Sequence, residues 1–418
     1  MSYSLTAIPH KYNIKVSKEF LLTLIIFIVL PLYSVPFILL GMWKRKKWAF
    51  SLWALFMGLV GILVPPTGDF YRYTLDFELY KGLEWDDFLF VAALKNELML
   101  PTISYFIGRL DLNFDISRFI YNFLGYYYLG KIYYDITQSN SFLQEKKTSF
   151  YALGFFMSFS ISAFCFRYFL SAIFFVYGSY QIVYKEKNKG WLFIGLAIFN
   201  HLTYVIQAAI LFLQRFNLFR FNKKLVVFLV LISFCIDSSI IIKIFNLLPV
   251  DFVSSYISYL DGYWANDFLE DHSLKYKIQM FIGNIINYFC IIIYILQYKK
   301  ENNKYNSINN GMLLLTVVST PFATINGRFI AVMMYFIKIH ILYTYNNSRK
   351  NFKYLIIMFW LSMLSNLMGL WAMRRQIYIS DFNIMLYSTS LNIFNHTYDN
   401  NWIDNNVSED GNFLQVNF

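Results

Sequence analysis

The chain has 418 residues, of which 57% are apolar and 15% charged, with a mean hydropathy of +0.44; soluble domains run at about 45–50% apolar and about 25% charged, so a water-soluble enzyme folded around one core is excluded. The formal net charge of +11 does not point to nucleic acid, because Lys and Arg sit in short segments between apolar runs, where they set topology. Cys165, Cys235 and Cys290 all fall inside apolar runs, which excludes a disulfide framework and a Cys-based metal site.

Apolar runs of about 17–24 residues recur along the chain and predict an all-α polytopic membrane protein of roughly 10–12 transmembrane or re-entrant helices. The expected spans are 20–41, 48–66, 116–134, 149–166, 168–184, 225–247, 275–297, 311–326, 328–345 and 354–371. The first is longer than the apolar core of a signal peptide, has no small-residue cleavage site and is followed by Lys44-Arg45-Lys46-Lys47, so it reads as a retained helix. Between Pro66 and Asp115, apolar stretches alternate with Asp69, Asp76, Glu78, Asp86, Asp87, Lys95 and Glu97, the pattern of amphipathic helices lying at an interface.

The stretch from Trp191 to Leu213 is long enough for one crossing, yet basic residues flank both of its ends: Lys185, Lys187 and Lys189 before it, Arg215, Arg220, Lys223 and Lys224 after it. Both flanks then belong on one side. We therefore expect a helical hairpin or re-entrant pair with Asn200 and His201 near its tip. On that topology the inner loops hold nineteen Lys and Arg against four acids, Asp135, Glu145, Glu186 and Glu301, and the outer segments hold twenty acids. Lys11, Lys15 and Lys18 on an outer N-terminus run against the rule. Residues 1–371 form a single transmembrane domain with outer loops at 67–115 and 248–274. The tail 372–418, rich in Asn and Asp, is expected outside and partly disordered. No internal repeat is visible, which weighs against a transporter of paired halves.

Six residues are candidates for chemistry. Asp69 follows Pro65-Pro66 where the chain leaves the second span; its carboxylate suits deprotonation of a hydroxyl, with Arg72 one turn on to orient it, or serves only as an N-cap. Arg167 interrupts the apolar run from Phe150 to Tyr184 and marks an outer turn between two helices; Arg328, in Asn326-Gly327-Arg328-Phe329, repeats that arrangement. Each guanidinium suits bidentate phosphate binding, or merely snorkels to head groups. His201 in its apolar run reads as a functional imidazole or a hydrogen-bonded structural one. Asp237, within a span, needs a partner or a wet cavity. With no Walker loop, metal-ligand cluster, Gly-x-Ser-x-Gly elbow or paired Cys, neither metal nor cofactor is expected, and the reactivity must arrive with an activated substrate.

Gly68-Asp69 followed by Tyr73 and Phe77 resembles the acidic motif after an early span in the Wzy-class O-antigen and capsular polysaccharide repeat-unit polymerases, especially their EpsG-like branch. Arg167-Tyr168-Phe169-Leu170-Ser171 resembles their Arg-led helix start, with Tyr168 and Ser171 where Gln and Ala are common. Phe199-Asn200-His201-Leu202-Thr203 is similar to their His-containing apolar run, and Asn326-Gly327-Arg328-Phe329 to their later Arg. The resemblance implies a GT-C-like membrane glycosyltransferase of the bacterial inner membrane with its site facing the periplasm. It implies transfer of a growing glycan from undecaprenyl diphosphate to a sugar hydroxyl of another undecaprenyl-diphosphate-linked unit. Implied partners are those lipid-linked oligosaccharides, membrane lipids, and a chain-length regulator and flippase of the same pathway; nucleic acid is not one. In these terms Arg167 and Arg328 hold the diphosphate, Asp69 takes the acceptor's proton, Arg72 holds Asp69, and His201 orients a phosphate or sugar.

Three alternatives stay open. Another polyprenyl-linked-donor glycosyltransferase would use the same residues. A lipid-linked oligosaccharide flippase would show a hydrophilic central cavity with mid-span charges. A membrane acyltransferase would need a His-Asp pair that Asn200-His201 does not supply.

Overall fold

The computed structural model describes residues 17–94, 98–154, 165–216, 218–235, 274–298, 303–346, 348–412 and 414. Over these the protein is all-helical, with no β-strand. The helices are α1 (Lys18–Val29), α2 (Pro31–Trp43), α3 (Lys47–Ile62), α4 (Asp69–Lys81), α5 (Trp85–Ala93), α6 (Met99–Arg109), α7 (Asp115–Ser139), α8 (Lys146–Gly154), α9 (Phe166–Val183), α10 (Gly190–Asn200), α11 (Tyr204–Leu213), α12 (Lys223–Ile232), α13 (Leu274–Gln297), α14 (Asn303–Val318), α15 (Ala323–Tyr343) and α16 (Arg349–Ala372). Three short ones follow, α17 (Arg374–Ile379), α18 (Ser390–Phe394) and α19 (Asn400–Asn406). Two described helices, Thr324–Tyr343 and Arg349–Ala372, are long and apolar enough to cross a membrane.

The basic connections gather at one end. The Trp43 indole donates to the carbonyl of Lys146 (2.7 Å), and Asn140 donates to the carbonyls of Leu342 (3.1 Å) and Tyr345 (3.0 Å). Tyr184 stacks on Tyr305 at 4.6 Å, and the Arg215 guanidinium lies 5.0 Å from the Trp191 ring. That last contact joins the end of α11 to the start of α10, so 190–213 turns back on itself, and His201, Leu202 and Thr203 form the tip. Gly178 and Gly190 set the close spacing of α9 and α10: a Cβ on Gly178 would fall 2.7 Å from the carbonyl oxygen of Gly190.

The expected single helix over 20–41 is a second hairpin. Leu30 precedes Pro31, which disfavours helical geometry at Leu30, and its φ of −144° breaks the run between α1 and α2. Glu19 pairs with Lys44 at 3.4 Å and Phe20 packs on Trp48 at 5.6 Å, contacts that 25 residues of straight helix, about 37 Å at 1.5 Å per residue, would forbid. Lys18 therefore belongs to the basic end, which corrects its expected placement opposite; Lys11 and Lys15 lie outside the described residues.

The described acidic connections gather at the other end. Here α4, α5 and α6 follow the expected amphipathic stretch and hold a small core of their own around Tyr80, Phe88, Ala92 and Tyr105. Leu75, Leu79, Phe90, Leu94 and Phe106 remain exposed. Over its described residues the tail, expected to be partly disordered, docks on the helices: Ile393, Tyr398 and Val407 are buried, the Tyr398 hydroxyl donates to the carbonyl of Leu63 (2.6 Å), Ser390 donates to Phe27, and the Gly68 amide donates to Gly411 (2.7 Å). Aromatic residues between the Asn and Asp positions give this tail enough apolar surface to dock. Most of the outer loop 248–274, and Asp237, lie outside the described residues.

Candidate functional site at the acidic end

Asp69 opens α4 after Gly68, whose φ of +59° glycine adopts without strain. Gly68 itself holds the N-cap position and makes no side-chain cap, so the Asp69 carboxylate is not spent on capping; it is exposed and faces Arg72 at 3.5 Å. A helix N-terminus favours an anion there. The expected orienting contact between Asp69 and Arg72 is thus present, solvent-exposed on both sides.

Arg167 is the second residue of α9, and its guanidinium lies 4.9 Å from the Tyr73 ring centroid, one turn along α4 from Asp69. Phe166 beside it packs on Phe70 (5.1 Å), Tyr73 (5.9 Å) and Tyr121 (4.9 Å), which locks the starts of α4 and α9 together on α7.

His201 is buried at the hairpin tip, its Nδ1 3.0 Å from the Thr203 hydroxyl and its ring edge-on to Tyr168 at 5.9 Å. The charges of Arg328 and, less, of Arg167 both reach that ring. Asn200 fixes the tip: its Oδ1 accepts from the Tyr121 hydroxyl (2.8 Å), and its Nδ2 donates to the Ser171 hydroxyl (2.7 Å) and the Arg167 carbonyl (2.9 Å).

Arg328 lies in the second turn of α15, not at the turn between helices that the sequence suggests. The break falls earlier, at Thr320-Pro321-Phe322, because the proline ends the ladder of α14. Asn326 donates to the carbonyl of Thr316 (2.7 Å) and to Ser319 (3.1 Å) across that break, and the Tyr168 hydroxyl donates to the Arg328 carbonyl. Cys165 lies within electrostatic reach of both Asp69 and Arg328.

Asp69, Arg72, Arg167, His201 and Arg328, spread over 260 positions of sequence, are thus gathered at one end by α4, α9, the α10–α11 tip and α15. Asp237 lies outside the described residues. Tyr168 and Ser171 are both used here, one against Arg328 and His201 and the other against Asn200. Among the described residues no three His, Cys, Asp or Glu side chains converge as a metal site would require.

Two charged residues escape the sequence reading. Arg118 is 1% exposed, pairs with Asp115 and the Val64 carbonyl, and stacks on Phe70 at 5.5 Å; the Asp-x-x-Arg spacing on one helix was its signal. Lys338 sits deep in α15, 5.8 Å from the Tyr335 ring, and was legible as the lone cation of an apolar run. No family model, no curated protein and no solved structure matches this chain.

Proposed function

We propose that this protein is a multi-pass membrane glycosyltransferase of GT-C-like architecture that polymerises lipid-linked oligosaccharide repeat units, as the Wzy-class polymerases it resembles do. The observation that carries this reading is the convergence of Asp69, Arg167, His201 and Arg328 at the end opposite the basic connections. Under the positive-inside rule that end faces the periplasm or cell exterior, where polyprenyl-diphosphate glycans are displayed.

Membrane placement is supported by an inverted distribution of polarity. In α16 Ser362, Asn366 and Gly369 line a half-open cavity and are buried or half-buried, whereas Ile357, Trp360, Leu364 and Leu367 are exposed. Helix α13 likewise turns Asn287 to the cavity and exposes Phe281, Phe289 and Ile292. In α14, Asn306, Asn309 and Asn310 are buried. Such faces suit lipid outside and polar chemistry inside.

In the mechanism we propose, an acceptor hydroxyl attacks the anomeric carbon of the donor glycan. The new C–O bond forms as the bond from that carbon to the diphosphate breaks; the proton passes to the Asp69 carboxylate, and undecaprenyl diphosphate leaves with the electron pair. Arg167 and Arg328 take up the charge growing on the diphosphate, work that preorganised cations do without reorganisation at the moment of reaction. Arg72 holds the base, and His201 orients a phosphate or sugar oxygen.

Complementation tests this reading. In a polymerase-deleted bacterium making the native repeat unit, the wild-type gene restores a polysaccharide ladder, while expressed Asp69→Ala, Arg167→Ala and Arg328→Ala variants leave a single repeat. A variant ladder of wild-type length would refute the assignment. A second reading, a lipid-linked oligosaccharide flippase, is favoured by the cavity that holds Lys338; loss of even the single repeat in the absence of the gene would select it.

A further inference from the structure

Helices α13, α15 and α16 line a half-open cavity of about 290 Å³, close to the lower bound of about 300 Å³ for small-ligand sites. Gly283, Gly327 and Gly369 line one part of it and Cys290, Lys338 and Ser362 another. Along α15 the lining runs from Gly327, the neighbour of Arg328, to Lys338, about 16 Å at 1.5 Å per residue. The cavity therefore leads from the site at the acidic end toward a lysine deep between the helices.

Its lining asks for a polar, anionic occupant. Among the described residues no carboxylate pairs with Lys338; its ammonium has the Tyr335 ring at 5.8 Å. The Ser362 hydroxyl is buried with no hydrogen-bond partner among the described residues. Asn284, Asn287 and Asn366 add amide groups to the wall. An acyl or prenyl chain would leave the lysine and the hydroxyl unsatisfied, at the full desolvation cost of each. Inorganic phosphate would meet the lysine but leave most of the amide-lined wall unused. A sugar ring bearing a carboxylate meets all of these groups.

We propose that this cavity is a subsite for an acidic sugar residue of the glycan, its carboxylate on the Lys338 ammonium and its hydroxyls on Ser362, Asn287 and Asn366. This assignment rests on the glycan-polymerase reading above, and it names a substrate class: repeat units that carry a uronic acid.

Equilibrium binding to the full chain in lipid nanodiscs tests it, with cellobiouronate and its neutral counterpart cellobiose as probes. Cellobiouronate should bind about ten- to a hundredfold more tightly, the span expected for a hydrogen bond to a charged group. Lys338→Met should abolish that preference, and Ser365→Leu, which fills the cavity, should abolish binding of both sugars. Arg328→Ala should keep the preference while losing polymer formation, so failure of the subsite and failure of the polymerase reading are separate results. Equal affinities for the two sugars, no binding of either, a preference that survives Lys338→Met, or displacement of cellobiouronate by equimolar inorganic phosphate would each overturn the proposal. Thermal melting of both cavity variants near the wild-type temperature shows that a lost preference is not lost folding.

Discussion

The guanidinium of Arg167 lies over the ring of Tyr73, 4.9 Å from its centroid, so the helix that begins with Asp69 also carries the platform for an arginine of another helix. The proposed proton acceptor and one proposed phosphate-binding residue are held in register by this stack. A cation–π contact is worth about 0.5–2 kcal/mol, so Tyr73→Leu should slow glycan transfer by roughly two- to thirtyfold, and Tyr73→Phe should keep most of the rate. Initial rates of polymer formation in membrane vesicles with matched protein levels measure this; an unchanged Tyr73→Leu rate would remove the stack from the mechanism.

Asn200 spends both ends of its amide on three partners from α7 and α9. Asn200→Ala leaves the Tyr121 hydroxyl and the Arg167 carbonyl without this partner, at about 1–3 kcal/mol for buried groups. A lower thermal midpoint in detergent together with lost activity is expected. Because His201 is the next residue, activity should fall further than the stability loss alone explains.

Arg118 and Asp115 form a buried pair beside Phe70. Removing one partner strands the other charge, so Arg118→Ala should cost about 3–5 kcal/mol, whereas the double change Arg118→Met with Asp115→Leu should cost much less. Denaturation of the purified variants separates the two outcomes.

The α1–α2 hairpin puts Lys18 at the end where Lys44 sits. With cysteines introduced singly, position 18 should react with a membrane-impermeant maleimide only after the cells are opened, and position 72 in intact cells. Labelling of both positions from outside would place the N-terminal hairpin the other way up.

In the docked tail His396 is partly buried, its Nε2 2.9 Å from Asp381 of the same tail and its ring within reach of the charges of Asp115 and Arg118 on α7. Burial holds the His396 pKa below its usual 6.5, Arg118 adding to the effect, while Asp381 and Asp115 oppose it. The undocked tail therefore binds more protons than the docked one as pH falls through about 6.5, so docking is at full strength above that pH and weakens below it. Limited proteolysis at pH 8 and pH 5.5 should cut the tail faster at the lower pH, and His396→Gln should flatten the difference. Equal rates for wild type at both pH values would exclude His396 as the group responsible.

Sequence alone determined that the chain is helical, that basic and acidic connections alternate along it, and that Asp69, Arg72, Arg167, His201 and Arg328 are the charged or titratable groups worth weighing. Period, hydropathy and charge placement are local properties, and they survive in the primary structure. The turn at His201 was legible for the same reason, since basic flanks at Lys189 and Arg215 record which end each helix must reach. Only the tertiary structure decided that residues 18–43 fold into a hairpin, because an X-Pro step reads equally as a kink or a reversal until Glu19 meets Lys44. It also decided that Arg328 lies inside a helix, that the tail docks on Leu63 and Gly68, and that Lys338 borders a cavity walled by α13 and α16. Each of those facts is a contact between residues distant in sequence, set by packing complementarity that no local pattern encodes.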